Sequence, residues 1–266
     1  MSQDLTDLAE QARLAWKINY AFAQESFIAR PSIPILYFGD ASKYFESKRR
    51  VVTVGLNPSD KEFRDELDSY DIGLRFPHFK RLEGQWIVDD QFCRDYLQSL
   101  NQYFDVRPYW KWFGSYRPLL NAIGSDYRSS PGREGCALHT DLCSPLATNP
   151  TWSHLNVRAM YLLLREGPDL WNSLVRSLRP DVMLVSVGKD LGDRISRLFP
   201  PEKRFPDFSP GRPRKRVKIY RTRIAGKRCH VGVGSSSDRG PFSGLTNKEK
   251  QELGSEIETI AFGLIS

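Results

Sequence analysis

The chain contains few of the residues that build metal sites or disulfide frameworks. Only four of its 266 residues are cysteine and only four are histidine. The cysteines lie at positions 93, 136, 143 and 229, and no two of them have the spacing of a CxxC motif. We therefore expect reduced, mostly buried thiols, no bound metal and no cofactor.

The sequence also lacks a long apolar run. No stretch of 18 consecutive apolar residues occurs, so we predict no membrane-spanning helix and no membrane partner. Residues 1–11 are polar and acidic, unlike a secretory signal or an arginine-rich transit peptide. A cytoplasmic protein is the expectation that follows.

The composition indicates a globular protein with a basic surface. Apolar residues make up 40% of the chain, enough for a substantial core in one α/β domain of this length. We find no internal repeat or linker and predict a single domain over residues 1–266, with residues 1–50 as an N-terminal helical extension. The net charge of +7 favours a polyanionic partner, although a basic protein without such a partner would have the same charge.

Three short apolar runs each end in a loop of Gly, Pro, Asn, Asp or Ser, at residues 51–59, 138–145 and 231–240. Such runs are typical of buried strands in a parallel sheet. We place strands at residues 51–56, 135–142 and 181–187, with crossover helices at 155–164 and 170–178. Since ligands lie beyond the carboxyl ends of parallel strands, the three loops are predicted to converge on one crevice.

The pattern predicts a three-layer α/β/α fold with a mainly parallel sheet of about four strands, plus a basic β-hairpin. Residues 203–228 hold eleven Lys or Arg and a single acidic residue, Asp207. Within this basic insertion, residues 217–224 and 227–233 flank Ala225-Gly226 as a hairpin. A solvated hairpin face would explain the charges, but a row of contacts to nucleic-acid phosphates explains them better.

Taken together, the three loops resemble the motifs of the uracil-DNA glycosylase superfamily. Residues 55–59, GLNPS, are similar to its first motif, with Asn as in the mismatch-specific and single-strand-selective branches. Residues 138–143, LHTDLC, resemble the second, with Asp in place of the usual Asn, and residues 233–239, VGSSSDR, resemble the C-terminal loop of the mismatch-specific branch. The resemblance covers residues 50–245 in the same order, and implies a uracil-DNA glycosylase-like fold.

The resemblance assigns Asn57 as the catalytic residue that orients the attacking water. Hydrolysis of an N-glycosidic bond passes through a carbocation-like sugar, which needs a well-placed nucleophile more than a strong base. The alternative is that Asn57 belongs to an Asn-Pro turn that caps the following helix.

Ser59 occupies the position where uracil-specific enzymes carry a bulky Tyr beside C5 of the base. A serine there would leave room for a base with a C5 substituent. The alternative is that Ser59 caps the next helix in a capping box with Glu62.

Asp141 stands where the resemblance places the residue that reads the base. A carboxylate only accepts hydrogen bonds, so it suits the C4 amine of cytosine and repels the C4 carbonyl of uracil. Asp141 therefore indicates a cytosine-type base, unless burial keeps it protonated and it reads uracil. A helix-capping or salt-bridging Asp is the structural alternative.

The remaining site residues are expected to contact DNA or the base. Small hydroxyls suit a loop that grips a phosphate during base flipping, and the resemblance gives Arg239 the role of a wedge that enters the duplex. We assign phosphate contacts to the basic segment and stacking on the extruded base to an aromatic ring of residues 71–79. The DNA-contacting candidates are Ser235, Ser236, Ser237, Arg239, Arg214, Lys215 and Arg216, and the stacking candidates are Phe76 and Phe79.

These features predict a monomeric, monofunctional DNA glycosylase that acts on duplex DNA. It would remove a flipped 5-substituted cytosine, hydroxymethylated or glucosylated, and leave an abasic site. Restriction of phage DNA would be a fitting role. Repair of uracil or thymine in mismatches, a catalytically quiet nucleic-acid-binding module, and a small-molecule nucleotide hydrolase are the alternatives; the basic hairpin argues against the last.

Overall fold

The computed structural model describes residues 3–65, 67–79, 87–129, 132–211, 216–237 and 240–263. The chain divides into two compact units. The first unit consists of Met1–Asp40, Leu56–Tyr109 and Thr140–Leu178. The second consists of Ala41–Gly55, Trp110–His139 and Arg179–Ser266.

The helices are distributed over both units. They are α1 Gln3–Ala21, α2 Ala41–Glu46, α3 Asp90–Asn101, α4 Tyr103–Val106, α5 Trp110–Phe113, α6 Arg117–Ala122, α7 Val157–Leu178, α8 Lys189–Leu198 and α9 Asn247–Phe262. Short 3₁₀ helices cover Asp60–Phe63, Ile72–Leu74, Pro77–Phe79 and Trp152–His154. No helix of the described ranges is long and apolar enough to cross a bilayer.

Most of the strands form one central sheet. The strands are β1 Val51–Gly55, β2 Ser125–Asp126, β3 Gly135–Asp141, β4 Val182–Ser186, β5 Lys203–Arg204, β6 Lys218–Ile224, β7 Lys227–Gly234, β8 Ser236–Ser237 and β9 Gly240–Pro241. The sheet has seven strands in the order β2-β3-β1-β4-β7-β6-β5. Strands β8 and β9 form a separate antiparallel pair.

The prediction of an α/β fold with a mainly parallel sheet is confirmed. The pairs β2–β3, β1–β4 and β4–β7 are parallel, whereas β6 pairs antiparallel with both β7 and β5. The predicted count of about four strands is too low. The hairpin strands continue the sheet beyond β4, and the two-residue strands β2 and β5 contain no apolar run that could reveal them.

The strands at the centre of the sheet are mainly apolar because both of their faces are buried. Every residue of β1, β3 and β4 is buried, as is typical of parallel strands. Thr53 is the polar exception in β1. Its hydroxyl lies 2.8 Å from the Tyr127 hydroxyl and 2.8 Å from His139 Nδ1, so its burial leaves no hydrogen-bonding group unsatisfied.

The predicted hairpin is confirmed, and its turn shows why it forms. Strands β6 and β7 pair from Lys218–Val233 to Ile224–Lys227. The two turn residues, Ala225 and Gly226, both have positive φ, at 47° and 79°. Two positive φ values in a two-residue turn match the twist of the flanking strands.

The two predicted crossover helices are one continuous helix, α7, with Pro168 inside it. Gly167 and Pro168 lie between the two predicted segments. In the structure, a Cβ at Gly167 would lie 1.8 Å from the carbonyl oxygen of Cys143. The helix therefore packs directly on the loop after β3, and only glycine permits that approach.

Candidate functional site

The loops that follow β1 and β3 run side by side in the first unit. The Cys143 amide donates to Leu56 O at 2.7 Å, and the Thr148 amide donates to Pro58 O at 3.2 Å. The Asp60 amide donates in turn to Thr148 O at 3.2 Å. These backbone bonds hold residues 56–60 against residues 143–148, so the first two motifs share one rigid frame.

The side-chain amide of Asn57 is fixed in a defined orientation. Its Nδ2 donates to Thr148 Oγ1 at 2.9 Å, to Pro58 O at 2.7 Å and to Leu146 O at 3.5 Å. All three partners accept hydrogen bonds, which assigns the nitrogen to that side of the amide. Among the described residues, no group donates to the opposite oxygen, Oδ1. The fixed amide therefore presents an acceptor that is available to a water molecule.

Neither capping alternative for this segment is correct. The residue that precedes the 3₁₀ helix Asp60–Phe63 is Ser59, not Asn57. Ser59 itself makes no side-chain capping bond, and the Glu62 carboxyl bonds elsewhere. Ser59 is partly exposed and is joined to Thr148 by an isolated parallel bridge. Its small side chain is therefore not explained by helix capping.

Asp141 is the last residue of β3 and is 9% exposed. It ends a strand, so it does not cap a helix. The preceding residue is held in place from α7, because Trp171 Nε1 donates to Thr140 Oγ1 at 3.0 Å. Asp141 thus lies on the frame that also carries Asn57, two residues before the Cys143–Leu56 bond.

Glu62 is a site residue that the sequence did not reveal. Its Oε2 accepts a hydrogen bond from the Tyr103 hydroxyl at 2.5 Å, and Arg75 Nε lies 3.9 Å from the same oxygen. Burial raises the pKa of Glu62 to about 7, although the Tyr103 bond and the Arg75 charge lower it. The negative charge of Asp141 raises it further, so the two carboxyl groups are close enough to interact.

Arg75 completes this buried cluster. Its Nη1 donates to the backbone oxygens of Glu62 and Arg64, at 3.2 and 3.0 Å. Its Nε is buried and makes no hydrogen bond in the described structure, but it lies within ion-pair distance of Glu62 Oε2. The positive charge of Arg75 and the carboxyl of Glu62 are therefore buried side by side.

The two stacking candidates lie in the core of the first unit. Phe76 is fully buried, with its ring centroid 5.7 Å from those of Phe63 and Tyr103. Phe79 is 5% exposed and packs on Trp16 and other aromatic rings. Packing accounts for both residues, so stacking on a base remains a prediction.

The serine-rich loop belongs to the second unit, and its convergence with Asn57 remains a prediction. Ser186, at the end of β4, organises this loop: its hydroxyl donates to Ser235 O at 3.1 Å and accepts from the Phe242 amide at 2.8 Å. Ser236 and Ser237 form β8, and Ser235 and Ser237 are exposed. Arg239 lies outside the described residues. Sequence reasoning missed Ser186 because it occurs within an ordinary apolar strand.

The three predicted phosphate-contacting cations of the basic segment are only partly described. Arg216 is exposed, whereas Arg214 and Lys215 lie outside the described residues.

All four cysteines are buried free thiols, as predicted. Within the described ranges, no group of three or more His, Cys, Asp or Glu is arranged to hold a metal ion.

The first unit thus combines three chemical functions on one frame. The Asn57 amide can orient water, the Asp141 carboxyl can accept from a donor, and the Glu62 carboxyl can hold a proton near neutral pH.

No family model and no curated protein matches the chain.

Glu62 should make the stability of the protein depend on pH. Its pKa is raised on folding, so its stabilising contribution is present below about pH 4.5 and is lost as pH rises through about 7. Glu62→Gln should remove this loss. We expect the free energy of unfolding to fall about 2–3 kcal/mol less between pH 5 and pH 8 in the variant than in the wild type.

Urea denaturation at several pH values measures this difference. Glu10→Gln is the matched control, since Glu10 is exposed on α1 and should leave the pH dependence unchanged. Parallel pH profiles for wild type and Glu62→Gln would show that Glu62 is ionised normally in the folded protein.

Proposed function

We propose that this protein is a monofunctional DNA glycosylase that hydrolyses the N-glycosidic bond of a flipped 5-substituted cytosine. The substituent would be a hydroxymethyl or glucosylated hydroxymethyl group, as found in foreign or phage DNA. The observation that carries the proposal is the fixed Asn57 amide with its uncommitted Oδ1. The three-layer uracil-DNA glycosylase-like fold and the monomeric state belong to the same proposal.

In this reaction Asn57 would hold the attacking water. As the C1′–N1 bond breaks, positive charge develops on the sugar and a weakly activated water suffices as nucleophile. Thr148 and two backbone carbonyls orient the amide before substrate binds, so no reorganisation is needed in the transition state. These bonds also join the two loops, so the part of Asn57 that serves the reaction is Oδ1, which receives no bond from a described residue.

Asp141 would select the base. In its ionised form it offers only acceptors, which match the C4 amine of cytosine. Its low exposure means that little water could screen a C4 carbonyl from the carboxylate oxygens, so a base with that carbonyl would be disfavoured. Ser59, small and not engaged in capping, leaves space for a C5 substituent.

DNA would be held by cations that lack acidic neighbours. Several basic side chains of the hairpin are already paired: Lys218 lies 3.0 Å from Asp193, and Arg223 lies 2.9 Å from Glu202. The bond from Lys218 lowers the pKa of Asp193, as expected for such a pair. In contrast, Arg216 is exposed and pairs with no carboxylate of the described residues. The sequence count of eleven cations therefore overstates the charge available to phosphates.

Asn57→Ala should abolish base release and leave DNA affinity within severalfold of wild type. Duplexes that contain cytosine, 5-hydroxymethylcytosine, glucosylated 5-hydroxymethylcytosine or uracil are incubated with enzyme, and alkali then cleaves abasic sites. We expect cleavage at modified cytosines by the wild type and a loss of at least about 100-fold in the variant.

Two further variants sharpen this test. Thr148→Val keeps Asn57 but removes the acceptor that orients its amide, so an intermediate loss of rate is expected. Asn172→Ala, on α7, is the matched control and should retain full activity. Equal losses of rate and DNA affinity in Asn57→Ala would make Asn57 a binding or structural residue.

Asp141→Asn should lose activity on modified cytosine, and any activity gained should be on uracil. Each well-formed contact to the base edge is worth roughly 1–3 kcal/mol of discrimination. The same panel of duplexes, assayed from pH 5 to pH 8, measures the change. Efficient removal of plain uracil by the wild type at pH 8, with no activity on any modified cytosine, would favour mismatch repair instead.

Replacing Arg214, Lys215 and Arg216 together by Ala should weaken binding to all duplexes. The slope of log affinity against log salt should fall by up to ~3. The matched control replaces Lys218, Arg221 and Arg223, and it should change the slope less because Glu202 and Asp193 already neutralise these cations. A larger effect from the control trio would place the phosphates along β6.

A further inference from the structure

The proposed reaction requires something to neutralise the departing base. When the C1′–N1 bond breaks, its electron pair moves to the base, and a cytosine anion is a poor leaving group unless it is protonated. The serine-rich loop contains no histidine that could supply a proton. The proton would therefore have to come from another acidic side chain near Asp141.

Glu62 is a carboxyl group on the same loop frame as Asn57. It follows Asn57 by five residues, on the 3₁₀ helix that the loop frame holds through the bond from Asp60 to Thr148. The Tyr103 hydroxyl fixes one carboxyl oxygen, Oε2, at 2.5 Å. No group of the described residues donates to the other oxygen, Oε1, which leaves it able to carry and donate a proton.

The position of this carboxyl is costly for an ionised group. It is 4% exposed and the negative charge of Asp141 acts on it, so its pKa is raised even though Tyr103 and Arg75 contact it. A buried acid that remains protonated near neutral pH is typical of catalytic sites, where two carboxyl groups in different environments divide the acid and base roles.

We propose that Glu62 is the general acid that protonates the departing base, an assignment that rests on the glycosylase function proposed above. The C1′–N1 bond breaks, its electron pair passes to the base, and the proton on Glu62 Oε1 moves to a ring nitrogen or carbonyl oxygen of that base. Water held by Asn57 adds to C1′. Its released proton returns to the Glu62 carboxylate, which restores the acid.

The titration of Glu62 depends on the groups that surround it. Tyr103 and Arg75 contact its carboxyl, and Asp141 acts on it through space. Tyr109 lies near it as well, since burial and then the negative charge of Glu62 raise the pKa of Tyr109. With a pKa of about 7 for Glu62, base release should fall as pH rises above neutrality, because the carboxyl loses the proton that it must donate.

Single-turnover rates on a duplex with one modified cytosine, measured from pH 5.5 to pH 9, test the assignment. The wild type should show a rate that declines above about pH 7. Glu62→Gln should be slower by roughly 100-fold or more at pH 6 and should lose this decline, because a general acid contributes about 10²–10⁴-fold. Glu10→Gln, exposed on α1, is the matched control and should follow the wild type.

Further measurements distinguish a failure of the Glu62 assignment from a failure of folding or of the glycosylase function. Circular dichroism and thermal unfolding of Glu62→Gln show whether the variant is folded. NMR titration of ¹³C-labelled glutamate reports the ionisation of Glu62 directly. Tyr103→Phe should shift the pH at which the rate declines. A folded Glu62→Gln with wild-type rates overturns the Glu62 assignment alone, whereas a wild type that releases no base at any pH overturns the glycosylase function as well.

Discussion

The hydrogen bonds of Thr148 constrain the candidate site more than those of any other residue described above. Its amide and carbonyl tie residues 58 and 60 to the loop after β3, while its hydroxyl accepts from Asn57 Nδ2. Thr148 is fully buried, so these bonds are shielded from competing water. Because one residue holds both the backbone and the amide, the position of Asn57 is set by the fold and not by the substrate.

Around this constraint the first unit contains features that are costly for stability. Glu62 is a buried carboxyl whose pKa is raised, and Arg75 beside it has a buried N–H that makes no hydrogen bond in the described structure. Buried side-chain atoms without a hydrogen-bond partner also occur away from the candidate site, at Ser99 Oγ and Ser125 Oγ. The raised pKa of the buried carboxyl, more than the unbonded N–H, is therefore the feature typical of a functional site.

The sequence predicted what depends on short-range pattern. The buried strands at residues 51–55, 135–141 and 182–186 appear as apolar runs because both faces are covered, and Ala225-Gly226 predicted the hairpin turn. The sequence pattern did not predict features that are set by tertiary contacts, such as the extent of a helix or the partners of a buried side chain. The segments predicted at 155–164 and 170–178 are one helix, α7, in which Gly167 allows a close approach to Cys143. Thr148 and Glu62 could not be found, since their roles arise only from partners distant in the chain.

We propose that the frame around Asn57 directs water to the anomeric carbon of a modified cytosine nucleotide. Mass spectrometry of the small molecules released from a duplex with a single glucosylated 5-hydroxymethylcytosine tests this proposal most directly. We expect the free modified base in equal amount to abasic sites, with both strands otherwise intact and no release by Asn57→Ala. Release of a nucleoside or nucleotide, or of no product at all from any modified-cytosine duplex, would contradict it.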